Sequence, residues 1–193
     1  MYPELIVLRH GRTAWNLEGR WQGDRDSPLT ALGETQARAM AGVFEAEGIT
    51  RATHAAFVSP KGRARATARI VLGESWEPAV DPRLREIGVG GWEGWLIADI
   101  AAAAGLGGDA TPYDLYEAAP GGEGFDGLRA RVAGFLASLD RPSVLVTHGI
   151  TSRMIRTLAT GRDLDRFDEL PGGQGVVFRV RDGRHEVLGP AGG

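Results

Sequence analysis

Cysteine is absent from this 193-residue chain, which removes disulfides, thiolate nucleophiles and cysteine-based metal sites from consideration. Lysine is nearly absent: all but one of the 22 basic residues are arginine, whose planar fork suits bidentate contact with phosphate. Neither sign of charge is in large excess. A formal charge of -3 gives no basis for a polyanion-binding face, so no nucleic-acid partner is expected. The start of the chain lacks a basic leader followed by a long apolar stretch, and no later apolar run reaches transmembrane length. The expectation is a cytoplasmic protein without a membrane partner. Its glycines do not follow the dinucleotide-binding fingerprint, and no phosphate-cradling Walker sequence occurs.

What is present reads as a globular α/β chain. Hydrophobic residues at 42% and charged residues at 24% suit a packed core, and the length suits one domain over 1-193. Leu5 to Leu8 and Ser143 to Thr147 are unbroken apolar runs, as expected of strands buried on both faces, and Ala55 to Ser59 is a third strand candidate. Thr13 to Pro28 reads as loop. Thr30 is placed to cap a helix that Gly48 closes, and Pro60 to open one reaching Leu72.

Asp81 to Gly94 is too glycine-rich for a regular element and reads as a structured loop. A short helical and loop insertion follows at about 95-122, with Gly105 to Pro112 as loop and an acidic stretch behind it. Phe125, Leu128, Val132, Phe135, Leu136 and Leu139 recur at helical spacing. A helix is expected from Ile150 to Ala159. Val176 to Val180 and His185 to Leu188, joined through Asp182-Gly183, read as a closing hairpin. His54 and His185 read as surface or strand residues, and Arg65, Arg69 and Arg156 as solvated helix residues.

Two of the strands deliver a histidine and a glycine to their carboxyl ends, where open α/β sheets bind ligands: Arg9-His10-Gly11 and Thr147-His148-Gly149. Arg63 opens a helix, and Glu86 lies in the glycine-rich loop. Phosphoryl transfer needs cations around the equatorial oxygens, an in-line nucleophile and an acid for the leaving oxygen. These side chains can supply all three. Neighbouring arginines should keep His10 neutral and nucleophilic.

With Leu8-Arg9-His10-Gly11, Thr13 and Asn16, Gln22-Gly23, Pro28-Leu29-Thr30, Ser59-Pro60, Arg63-Ala64, Leu84-Arg85-Glu86-Ile87, Gly91-Trp92-Glu93-Gly94, Pro120-Gly121-Gly122-Glu123 and Thr147-His148-Gly149 in order, the chain resembles the histidine phosphatase superfamily. The resemblance implies the phosphoglycerate-mutase-like fold, a three-layer α/β/α sandwich with a mostly parallel central sheet. It also implies His10 as nucleophile, with Arg9, Arg63 and His148 holding phosphoryl oxygens and Glu86 as proton donor. Asn16, Gln22 and Gly149 join the substrate-binding set, and no metal or cofactor is required.

The expected activity is hydrolysis of a phosphate monoester through a phosphohistidine, on a small phosphorylated substrate or a phosphoprotein side chain. A phosphoglycerate-mutase-type phosphotransferase is the alternative, against which the short insertion argues. A phospho-ligand or partner-binding module without turnover is the third reading, and it would need neither nucleophile nor acid. Arg12 and Gly124 depart from the usual family text, and the substrate and oligomeric state are not encoded in these motifs.

Overall fold

The computed structural model describes residues 2-106, 111 and 113-189. Its strands are β1 (Leu5–Arg9), β2 (Ala55–Val58), β3 (Ala79–Val80), β4 (Ser143–Thr147), β5 (Val177–Arg181) and β6 (Arg184–Leu188). They form one sheet in the order β3-β2-β4-β1-β5-β6. The first four strands in that order pair in parallel, while β5 pairs antiparallel with both β1 and β6. The helices are α1 (Ala14–Glu18), α2 (Ala31–Ala46), α3 (Gly62–Leu72), α4 (Ile97–Ala104), α5 (Asp114–Glu117), α6 (Gly124–Leu136) and α7 (Gly149–Ala159). No helix among the described residues is long and apolar enough to cross a membrane.

Alternation along β1 divides the core between two layers of helices. Ile6 and Leu8 pack with Met40 and Phe44 of α2 and Ala64, Ala68 and Val71 of α3. Leu5 and Val7 pack with Leu128, Val132 and Phe135 of α6 and Met154 and Ile155 of α7. Both faces of β1 are therefore sealed, which is why its apolar run is unbroken. The three-layer α/β/α expectation holds. A third cluster lies beyond the sheet edge, where Trp21, Val89, Trp92, Ile100, Leu115 and Ala119 gather loop and insertion residues. It supports the wall of the site.

Several local expectations are corrected. The loop expected from Thr13 to Pro28 contains α1, begun by a reciprocal box in which the Thr13 hydroxyl accepts from the Asn16 amide and Asn16 Oδ1 accepts from the Thr13 amide. The acidic stretch holds α5, and a 3-10 segment spans Leu164–Glu169. Of the loop expected over 105-112, residues 107-110 and 112 lie outside the described residues.

Arg156 is 1% exposed rather than solvated. Its guanidinium lies 3.8 Å from the centroid of the Phe178 ring and donates to the Ser152 carbonyl and to His185 Nε2. His54 is buried against the Thr53 hydroxyl. Arg65 and Arg69 are exposed as expected. In the hairpin, Asp182 (φ 52) and Gly183 (φ 71) supply the two left-handed residues a tight turn needs.

One close approach fixes the exit of β1. A Cβ on Gly11 would stand 2.2 Å from the Gly33 carbonyl oxygen, and one on Gly33 would stand 2.1 Å from the Arg12 carbonyl oxygen. Only glycine at both positions lets the turn after His10 sit against the start of α2. Thr30 caps that helix through Gly33 and also bonds Arg12.

Candidate active site

Register brings the two histidines together. Arg9 pairs with Thr147 in the parallel β1·β4 ladder, and the His10 amide donates to the Thr147 carbonyl at 3.0 Å. The next residue on each strand is thus a histidine, and the two rings meet edge to face with centroids 5.1 Å apart. Ser59 leaves neighbouring β2 at the same edge, its amide bonded to Val146.

Hydrogen bonds fix both ring tautomers. His10 Nδ1 lies 2.8 Å from the Gly11 carbonyl. A carbonyl only accepts, so Nδ1 carries the proton and Nε2 keeps its lone pair. His148 Nδ1 accepts from Arg63 Nε at 3.2 Å, and its Nε2 proton faces the Ser59 hydroxyl at 2.7 Å. Burial first, then the charges of Arg9 and Arg63, hold the His10 pKa well below the ordinary histidine value. Burial, then Arg63, does the same to His148.

Arg63 is 2% exposed and committed to protein partners. Besides His148 it donates to the Arg25 carbonyl at 2.5 Å, to the Gly23 carbonyl at 3.0 Å and to Asp26 Oδ1 at 3.1 Å. Asp26 also accepts from the Gly62 and Arg63 amides. It thereby caps α3, whose own N-cap residue, Lys61, offers no capping bond. Arg9 is the opposite case: its buried Nε has no hydrogen-bond partner, and no ion pair reaches it among the described residues.

Glu93 and Glu123 lie in motifs near Glu86, and the structure gives the three different partners. Glu123 is held by Arg131 and Arg85, while Glu93 bonds the Asp24 amide. Glu86 lines the cleft beside His10. Its Oε1 accepts from the Ile87 and Thr151 amides and the Thr151 hydroxyl; its Oε2 accepts only from the Ile150 amide, at 3.2 Å. The Ile150 and Thr151 amides belong to the first turn of α7, where a carboxylate is favoured. Arg131 pins the same loop by donating to the Arg83 and Arg85 carbonyls.

The cleft, about 150 Å³, is lined by His10, Arg9, Arg63, Glu86, Asn16 and Gln22, together with Trp21 and Tyr116. Most of the predicted site residues therefore converge. His148 stands behind His10 rather than at the cleft wall, and Gly149 lines a neighbouring cavity with Arg9. Asn16 Oδ1 accepts from Gln174, and Gln22 Oε1 accepts from Ser27. The amide nitrogens of Asn16 and Gln22 have no partner among the described residues.

Sequence reasoning missed Tyr116, stacked on Trp21 with ring centroids 4.4 Å apart; no spacing rule links residues so far apart. It left Asp26 inside the loop read from Thr13 to Pro28, and with Gly62 lying 36 residues further along the chain no local signal marks Asp26 as the cap of α3. Arg12 does not line the cleft.

Residues 5-187 match the histidine phosphatase superfamily (branch 1), and the chain belongs to that superfamily. It is 36% identical over 160 residues to "Glucosyl-3-phosphoglycerate phosphatase" of Mycobacterium tuberculosis (strain CDC 1551 / Oshkosh), covering 75% of this chain and 70% of that one. It is 44% identical over 88 residues to "Probable phosphoglycerate mutase GpmB" of Enterobacter sp. (strain 638), covering 45% of this chain and 39% of that one. Its matches to that relative and to two further proteins of the same name span about two fifths of their lengths. Among solved structures, the alpha-ribazole phosphatase from Shigella flexneri has a TM-score of 0.79 at 25% identity, over 97% of this chain and 96% of that one.

Proposed function

We propose that the chain is a metal-independent phosphomonoesterase that works through a phosphohistidine on His10. The observation that carries this reading is the His10 Nδ1 bond to the Gly11 carbonyl, which leaves Nε2 unprotonated in a cleft shared with the unpartnered guanidinium of Arg9.

A phosphate ester would enter with its oxygens toward Arg9, Asn16 and Gln22. His10 Nε2 attacks phosphorus, forming an N–P bond as the P–O bond to the leaving group breaks. Glu86 protonates the leaving oxygen, and Oε2, with one accepted hydrogen bond against three on Oε1, has the lone pair to carry that proton. Water then attacks the phosphohistidine, giving its proton back to Glu86, and inorganic phosphate leaves with His10 restored. Arg63 fixes His148, and His148 would exchange its Ser59 bond for a phosphoryl oxygen as charge develops there.

The glucosyl-3-phosphoglycerate phosphatase and alpha-ribazole phosphatase relatives support hydrolysis of a small phosphate ester. The mutase-named relatives support phosphotransfer as the second reading, against which the short segment between Trp95 and Gly122 weighs. The deciding experiment supplies a bisphosphoglycerate with excess monophosphoglycerate and measures where the phosphoryl group goes. Release as inorganic phosphate is expected; preferential transfer to the monophosphoglycerate would replace the phosphatase reading with the mutase one. Glu86→Gln should reduce kcat about 10²- to 10⁴-fold. Wild-type turnover in that variant would remove Glu86 from the mechanism. Vanadate binding without turnover of any phosphate ester would point to the binding-module reading.

A further inference from the structure

Arg9 and Tyr116 line two cavities: the His10 cleft, and a second chamber of about 210 Å³. The second chamber is walled by Ser152, Arg153 and Arg156 of α7 and by Tyr113, Gly172 and Phe178. Three guanidiniums line one space, and no carboxylate lines it among the described residues. Asp168 acts on Arg153 from outside the wall.

The polar groups here are left short of partners. Ser152 is 1% exposed, yet its hydroxyl has no hydrogen bond among the described residues; neither has Arg9 Nε. The Arg153 guanidinium lies over the rings of Tyr113 and Phe167, at 5.5 and 5.6 Å, with no ion pair among the described residues. Arg156 spends Nε on the Ser152 carbonyl and Nη1 on His185 Nε2, both neutral acceptors. A buried hydroxyl left without a hydrogen bond is destabilising, and clustered like charges add repulsion. An anion relieves both at once. Tyr113, Ile150 and Phe178 give the chamber an apolar wall, and its volume is several times one water's share. That suits an anionic group on a short carbon body.

We infer that this chamber is a second anion site, taking the carboxylate or phosphate of a small organic acid, with Ser152, Arg153 and Arg156 as ligands and Arg9 shared with the His10 cleft. The inference does not need His10 to react, so it can be tested apart from the phosphatase reading. The shared Arg9 makes the two cavities interdependent.

Malonate titrated calorimetrically into the full chain is the test. Wild type and His10→Ala should both bind it. Arg153→Gln, at a half-buried position, should weaken binding about tenfold or more, and Ser152→Val should do the same by removing the hydroxyl and filling its space. Absence of binding up to about 10 mM malonate, or wild-type binding in an Arg153→Gln protein shown to be folded by circular dichroism, would overturn the site.

Turnover then identifies the source of the anion. If it belongs to the substrate, Arg153→Gln raises KM for 2-phosphoglycolate about tenfold more than for 4-nitrophenyl phosphate. Equal effects on both esters, with malonate binding weakened, assign the site to a separate molecule. If wild type turned over neither ester, the phosphatase reading would lose support while the malonate titration still decided the chamber.

Discussion

The two sides of the His10 cleft are built on opposite terms. On the Arg63 side every group is engaged: Arg63 with His148, Arg25, Gly23 and Asp26, and His148 with Ser59. On the Arg9 side the guanidinium has an unpartnered Nε, and the amide nitrogens of Asn16 and Gln22 are free among the described residues. The first side holds a geometry that exists before any ligand arrives, so it loses little entropy on binding. The second side keeps its donors for the ligand and accepts a desolvation cost in its absence.

That contrast sets the order of expected effects. Arg9→Gln should lower kcat/KM about 10²- to 10³-fold, as loss of an oxyanion donor does, while leaving the melting temperature unchanged or higher, because a partly buried charge without an ion-pair partner among the described residues goes with it. A large fall in stability would show that Arg9 is structural and would erase the difference between the sides.

Arg131→Met should destabilise by about 2–3 kcal/mol by releasing the Arg83 and Arg85 carbonyls and Glu123. It should also cost activity through the Glu86 loop, and chemical denaturation run beside kcat measures both. Asp26→Asn keeps the size of the side chain but removes the Arg63 ion pair and weakens the α3 cap, so about 1 kcal/mol and a modest rise in KM are expected. A loss as large as that of Arg9→Gln in kcat/KM would place the substrate on the Arg63 side instead.

The ring tautomers give a test without mutation. Because burial and the two arginines lower the His10 pKa, and burial and Arg63 that of His148, both rings should stay neutral as pH falls through about 6.5. Nitrogen-15 NMR at pH 6 should show His10 as the Nδ1–H form and His148 as the Nε2–H form. Imidazolium signals there would contradict the hydrogen-bond assignment. The unfolded chain takes those protons first, so the two histidines contribute stability above about pH 6.5 that is lost as pH falls toward their folded values.

The strand-end half of the site was legible in the sequence, and the loop-built half was not. Leu5 to Leu8 and Ser143 to Thr147 are sealed on both faces, so their apolar runs mark the strands and place His10 and His148 at their ends without any tertiary knowledge. Ordered short motifs then carried Arg63 and Glu86. The Trp21–Tyr116 stack joins a loop to an insertion, and Arg131 reaches across from α6 to the Glu86 loop; neither contact has a local period to betray it. Arg156 misled because an arginine on an amphipathic helix normally faces water, whereas here the Phe178 ring, the His185 lone pair and the Ser152 carbonyl make its burial tolerable.

The central claim is a covalent intermediate on His10, and trapping it is the most direct test. Rapid acid-free quench during turnover of a ³²P-labelled ester, followed by peptide mapping, should place an acid-labile phosphoramidate on the peptide carrying His10 and none on the same peptide from His10→Ala. Turnover with no label on His10, or with the label on another residue, would contradict it.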